Sequence, residues 1–196
     1  MADHRKRFER WRKKLPKNTA YFVDQVLNCI VPEFEARGFV WHPDYAGGDA
    51  MQIGANDIPL QRRSGEEWPT VQISFDKRFR PFLGLDFATL PPVCTRWVDG
   101  VVVNIPREEA LVFEGLAYFG LCKRSNLNYC NFGYIWFSLF PQRHIDKEID
   151  NLLALLPYLF DLFDRGIPEA WLSKKSGFVD EHVFVMGSRA KAQGQV

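Results

Sequence analysis

Residues 70–76, Thr70-Val71-Gln72-Ile73-Ser74-Phe75-Asp76, decide how this chain folds. Val71, Ile73 and Phe75 alternate with Thr70, Gln72, Ser74 and Asp76, so a β-strand would carry the first three on an apolar face and the rest on a polar one. The signal repeats on both sides. Ile58 to Arg63 precedes it across Ser64-Gly65-Glu66-Glu67, which reads as a four-residue hairpin loop. Phe82 to Ala88 follows a turn around Lys77 to Arg80, with Leu83, Leu85 and Phe87 on one face. The reading is a three-stranded antiparallel meander over residues 58–88. Pro59 has no N–H for a ladder bond, so the first strand is expected at a sheet edge, or to begin there.

Helices are expected on both sides of the meander in the chain. Phe22, Val23, Val26, Leu27, Ile30 and Phe34 recur at helical spacing from about Thr19 to Arg37. Asn18 or Thr19 would cap its start, Pro32 would kink it, and Gly38 suits the position just past its end. A longer helix is expected from Pro141 to Arg165, ended by Gly166. Its stripe is Ile145, Ile149, Leu152, Leu153, Leu156, Leu159, Phe160 and Phe163, with a kink at Pro157. Residues 42–56 read as a loop. Residues 96–105 read as a hairpin turned by Asp99-Gly100, Arg107 to Tyr118 as a short helix, and Phe132 to Leu139 as a buried strand. A last strand is expected around Phe178 to Met186, followed by a disordered tail from Ser188. The fold class is α+β: a single domain over residues 18–187, mainly antiparallel sheet, packed against N-terminal and C-terminal helices.

The formal charge of +1 conceals an uneven distribution. Residues 1–17 carry +6, which leaves −5 for residues 18–196, so a basic arm precedes a mildly acidic body. Phe8, Trp11 and Leu15 fall on one side of that arm if it is helical, and Pro16 would end it. Arg5, Arg7, Arg10, Arg12, Lys13 and Lys14 are its candidate contacts to a nucleic acid or an anionic surface. Docking of its apolar side on the body is the favoured alternative. The N-terminus has no apolar signal-peptide core, and the longest apolar stretch, near Leu152 to Phe163, is too short to span a bilayer. Cys29, Cys94, Cys122 and Cys130 are scattered without a CxxC pair, as in buried thiols of a reducing cytoplasm, and no membrane association is expected.

The residues of catalysis are sparse. There is no GxSxG elbow, P-loop or GxGxxG turn. His4, His42, His144 and His182 lie far apart, and Asp180-Glu181-His182 reads as a solvated turn, so neither metal nor cofactor is expected. One constellation remains. Arg62, Arg63, Trp68, Asp76, Lys77, Arg78, Arg80 and Asp86 all lie on or between the meander strands, with Trp136 as a further wall. Strands stand about 4.8 Å apart, so side chains on a common face would meet there. Arginines beside carboxylates would bind an anion bidentately, or pair with one another across strands.

Several of these segments resemble a bacterial family. Leu60-Gln61-Arg62-Arg63, Trp68 to Lys77 and Arg80-Pro81-Phe82 are similar to the group catalogued as domain of unknown function 4304, over roughly residues 20–90. That resemblance implies a small α+β fold and carries no activity, cofactor or catalytic residue with it. Three functions are compatible with the residues. The first is a non-enzymatic binding protein, immunity-like or antitoxin-like, whose acidic body masks a basic protein partner such as a toxin. The second is a small-molecule hydrolase or transferase using Asp76 or Asp86 with nearby arginines. The third is nucleic-acid binding through residues 5–17.

Overall fold

A computed structural model of the chain describes residues 4–42, 54–63, 65–66, 68–98, 100–114, 118–122, 131–133, 139–167, 176–180 and 183–188. Helices α1 (His4–Arg12) and α2 (Lys17–Gln25) lead through a π-helical turn (Val26–Ile30) into α3 (Val31–Glu35). Strands β1 (Phe39–Trp41), β2 (Asp57–Arg62), β3 (Trp68–Phe75) and β4 (Phe82–Leu90) follow, then the hairpin β5 (Val93–Val98) and β6 (Val101–Pro106). After β7 (Tyr118–Cys122) and β8 (Asn131–Gly133) come the long helix α4 (Pro141–Arg165) and strands β9 (Ser176–Asp180) and β10 (Val183–Ser188). The main sheet runs β1-β2-β3-β4-β7-β10-β9 with every pairing antiparallel, and the helices complete an α+β fold.

The meander forms in the register its alternation requires. Asp57 faces Ser74, Leu60 faces Val71, and Ile73 faces Leu85. Its apolar face (Ile58, Leu60, Val71, Ile73, Leu83, Leu85) joins α2, the π turn and α4 in one fully buried cluster. Burying each such side chain is worth about 1.5–3 kcal/mol before chain entropy is counted. On α4 the buried stripe includes Leu162, while Leu153 is half-buried and Pro157 sits on the exposed side. β2 is not an edge strand: β1 pairs with Leu60–Arg62. Pro59 lies one residue past that pairing and its carbonyl accepts the His42 N–H at 3.0 Å. Its missing N–H therefore falls beyond the β1 ladder and costs no sheet bond.

Other expectations are corrected. The second helix starts at Lys17 without a side-chain cap, and the Thr19 hydroxyl instead donates to the Phe79 carbonyl at 2.6 Å. Its irregularity lies before Pro32. The Val31 N–H reaches back five residues to Val26, and Pro32 then stands in the first turn of α3, where it lacks no partner. No continuous helix forms over residues 107–118. Two 3₁₀ turns (Arg107–Glu109 and Val112–Glu114) flank an extended Ala110, and Tyr118 begins a strand. The strand expected over 132–139 is confined to β8 among the described residues. Leu139 and Phe140 are 92% and 66% exposed, so its far end is not buried. Residues 43–53, Trp136, Glu181, His182 and the tail from 189 lie outside the described residues.

Two features of the sheet position the site. The outer side of β4 is shared, with β8 along Phe82–Gly84 and β7 along Asp86–Ala88. Among the described residues, the polar face is covered at one end, where Trp68, Leu90, Cys94 and Ala110 make a second apolar cluster under the β5–β6 hairpin.

Candidate functional site

Parity alone arranges the polar face. Successive rows across β2, β3, β4 and the outer strands read Asp57–Ser74–Gly84–Asn131, then Pro59–Gln72–Asp86–Gly120, then Gln61–Thr70–Ala88–Tyr118. Asp86 is thus bordered along its strand by Gly84 and Ala88, and across the sheet by Gln72 and Gly120. Three of those four neighbours have almost no side chain, so space opens above the carboxylate. The result is a cleft of about 650 Å³ lined by Ser74, Gly84, Asp86 and Gly120 and by the β3–β4 turn, from Asp76 through Lys77 and Arg78 to Arg80 and Phe82.

The carboxylates in and beside the cleft differ in their surroundings. Burial, with a smaller contribution from the charge of Asp57, pushes the Asp86 carboxyl up to about 6. Burial also raises Asp57, while the Gly54 N–H, the Ser74 hydroxyl, His4 and Lys77 pull it back. Asp57 Oδ2 accepts the Gly54 N–H at 2.7 Å and the Gln72 amide at 3.3 Å. Asp76 moves the other way because Arg80 holds its charged form: Arg80 Nε donates at 2.7 Å and Nη2 at 2.9 Å. The same carboxylate accepts the Arg78 and Arg80 backbone N–H groups, so it organises the turn. Asp76 and Arg80 serve the fold of the turn, whereas Asp86 is half-buried, its carboxyl makes no hydrogen bond to another described residue, and it faces the cleft.

The expected constellation divides. Asp76, Lys77, Arg80 and Asp86 line the cleft, but Arg62, Arg63 and Trp68 stand towards the other end of β2 and β3, with Trp68 four residues along β3 from Gln72, the partner of Asp86, or roughly 13 Å at 3.3 Å per residue. Arg62 points to the helical face, where it donates to Asp164 on α4 at 2.9 Å. Arg63 donates to Gln61, and both Arg63 and Arg107 lie over the Trp68 ring, at 5.7 and 4.1 Å. Trp68 is a wall of the second apolar cluster and no part of the cleft. Asp57 and Gly120 were missed as neighbours of the site. Asp57 shares parity with Pro59 and Gln61, a signal available in the sequence, while Gly120 lies just past the segment expected as a helix, where no strand was expected.

The N-terminal segment is a docked helix. Phe8 is fully buried, with ring centroids 5.5 to 6.1 Å from Trp11, Trp41 and Phe75, and His4 Nε2 lies 2.9 Å from the Asp57 carbonyl. Arg12 donates to Asp24 at 2.6 Å, Arg7 lies 3.3 Å from His4, and Arg5 stacks 4.9 Å above Trp41. Arg10, Lys13 and Lys14 are exposed.

Burial pushes the Cys94 thiol up to about 11, so it is a poor nucleophile near neutral pH. Among the described residues no three His, Cys, Asp or Glu side chains group to hold a metal ion, and no helix is long and apolar enough to cross a membrane. Comparison with protein-family models, curated proteins and solved structures finds no match for this chain.

Proposed function

We propose that the cleft on the polar face of the sheet is a small-molecule site in which Asp86 exchanges a proton with a bound ligand. Its anionic part is held by Lys77 and Arg78. The observation that carries this reading is the placement of Asp86, a carboxyl facing an open cleft between two glycines with basic side chains at the rim. A carboxyl that titrates near 6 is matched to general acid–base work close to neutral pH, the role a hydrolase or transferase of small polar substrates requires. Lys77 and Arg78 are exposed and make no ion pair with a described carboxylate, which leaves both for an incoming anion. Titrating the protein with citrate or pyrophosphate while recording backbone amide spectra tests the site. The expected result is a shift of the Gly84 and Gly120 amides, with affinity lowered about tenfold in K77Q/R78Q. Unmoved cleft amides at millimolar probe would end the proposal.

A second reading is favoured by the β5–β6 hairpin. Val93, Val101 and Val102 are 60%, 61% and 45% exposed on a two-stranded ribbon outside the main sheet, which suits a protein partner better than solvent. In this reading the chain is an immunity-like binding protein. A partner co-purified from the native host should be lost from V101T/V102T at unchanged melting temperature; retention would count against it.

A further inference from the structure

We infer that the outward side of α1 and the β3–β4 turn form one surface for single-stranded nucleic acid, on which Phe79 stacks a base. Helix α1 spends its apolar side on the core, with Phe8 fully buried and Trp11 and Leu15 packed half-buried against the same cluster, which leaves little of that side for insertion into a lipid surface. Lys6, Arg10 and Lys13 follow at helical spacing on the opposite side, so their charges repeat about every 5.4 Å along the helix. The ion pairs of Arg12 with Glu9 and Asp24 lie on its flank. Arg10, Lys13, Lys14 and Lys17 have no carboxylate partner among the described residues.

The β3–β4 turn extends this surface. Phe79 lies 6.4 Å from Trp11, ring to ring, and Thr19 of α2 holds its carbonyl, which brings Lys77 and Arg78 beside the end of α1. Phe79 has φ +58, the left-handed region that glycine or asparagine occupies at lower cost. Asp76 enforces that conformation by accepting the Arg78 and Arg80 N–H groups, and Phe79 stays 38% exposed. A strained backbone that presents a phenylalanine to solvent between Arg78 and Arg80 points to a contact made by the ring. Cationic side chains that follow a phosphate backbone, with an aromatic platform for a base, are what a single strand requires.

The test is fluorescence anisotropy with a labelled oligo-dT of about 12 nucleotides, between about 50 and 200 mM salt. The wild-type chain should bind with a steep salt dependence. R10Q/K13Q/K14Q should lower the slope of log affinity against log salt by about 0.7 per lost phosphate contact. F79S should weaken binding roughly tenfold and leave the slope unchanged. Melting temperatures of both variants check that the fold persists. D86N should bind the oligonucleotide like wild type, which separates this surface from the cleft. Affinity unchanged in the triple variant would overturn the inference. So would binding to phosphatidylserine vesicles without binding to oligo-dT. Equal affinity for duplex and single strand, with no effect of F79S, would overturn the stacking role.

Discussion

Asp86→Asn should make the protein more stable at about pH 7.5 while leaving stability near pH 4 unchanged. The folded carboxyl takes up its proton near 6 and an unfolded one near 3.8, so the native state binds the proton more tightly between those values. Wild-type stability is therefore fullest below about pH 4, declines towards pH 6, and stays at the lower level above it. The gap corresponds to roughly 3 kcal/mol against the ionised form. Water in the cleft reduces this to about 1–2 kcal/mol, or about 3–6 °C in melting temperature for a chain of this length. Thermal melts of wild type and D86N at the two pH values measure it. A less stable D86N at neutral pH would mean that the carboxylate has a partner that holds its charge, and Asp86 would then be a structural residue. A gain in stability accompanied by loss of the proton-exchanging group is the pattern expected where a site is maintained at the expense of the fold.

The larger loss is expected at the opposite end of the sheet. Arg96 and Glu114 pair with side chains only 5% and 8% exposed, and Arg96 Nη2 donates both to Glu114 at 2.7 Å and to the Glu109 carbonyl at 3.0 Å. Glu114 also accepts the Leu111 N–H at 2.7 Å, so the pair ties β5 to the two 3₁₀ turns that cover Trp68 and Leu90. Arg96→Met strands a carboxylate in that setting and should cost about 3–5 kcal/mol, read as a lower urea midpoint at unchanged slope. Arg96→Met/Glu114→Leu should recover most of that, because no buried charge is then left alone. A single variant as stable as wild type would show that water reaches the pair.

The meander, both major helix groups and the β5–β6 hairpin were legible because their signals are local. Val71, Ile73 and Phe75 state a period of two, and the α4 stripe a period of 3.6. The segment from Arg107 to Tyr118 misled for the same reason. Its glutamates and alanines favour a helix, yet Tyr118 to Cys122 finds a place on β4 that Gly120 can occupy close to Asp86. Local propensity yields there to a pairing made over more than thirty residues of separation. The π turn before Pro32 is a similar case: the proline announced an irregularity, and packing against α4 and the sheet decided where the extra residue was absorbed.

The site was half legible. Asp86 and Gly84 share a strand face by counting alone, and Asp76 to Arg80 is visibly a basic turn. That Asp76 is consumed by Arg80 while Asp86 is left facing open space follows from where the turn closes and which strands border β4, and neither is written in a period. Arg62 and Arg63 show the limit most directly. They are neighbours in sequence, yet alternation sends Arg62 to α4 and Arg63 to Trp68, on opposite faces of the sheet.

By itself, then, the sequence determined which strand faces are apolar, that the two long amphipathic segments before and after the sheet are helical, and that positive charge is concentrated before residue 18, since each depends on neighbours a few positions apart. Only the tertiary structure decided that α1 is docked with its charges outward, that β7 and β8 divide the edge of β4, and that Gly120 joins Gly84 beside Asp86. Each of these depends on contacts between segments far apart in the chain, where burial and strand pairing outweigh local preference.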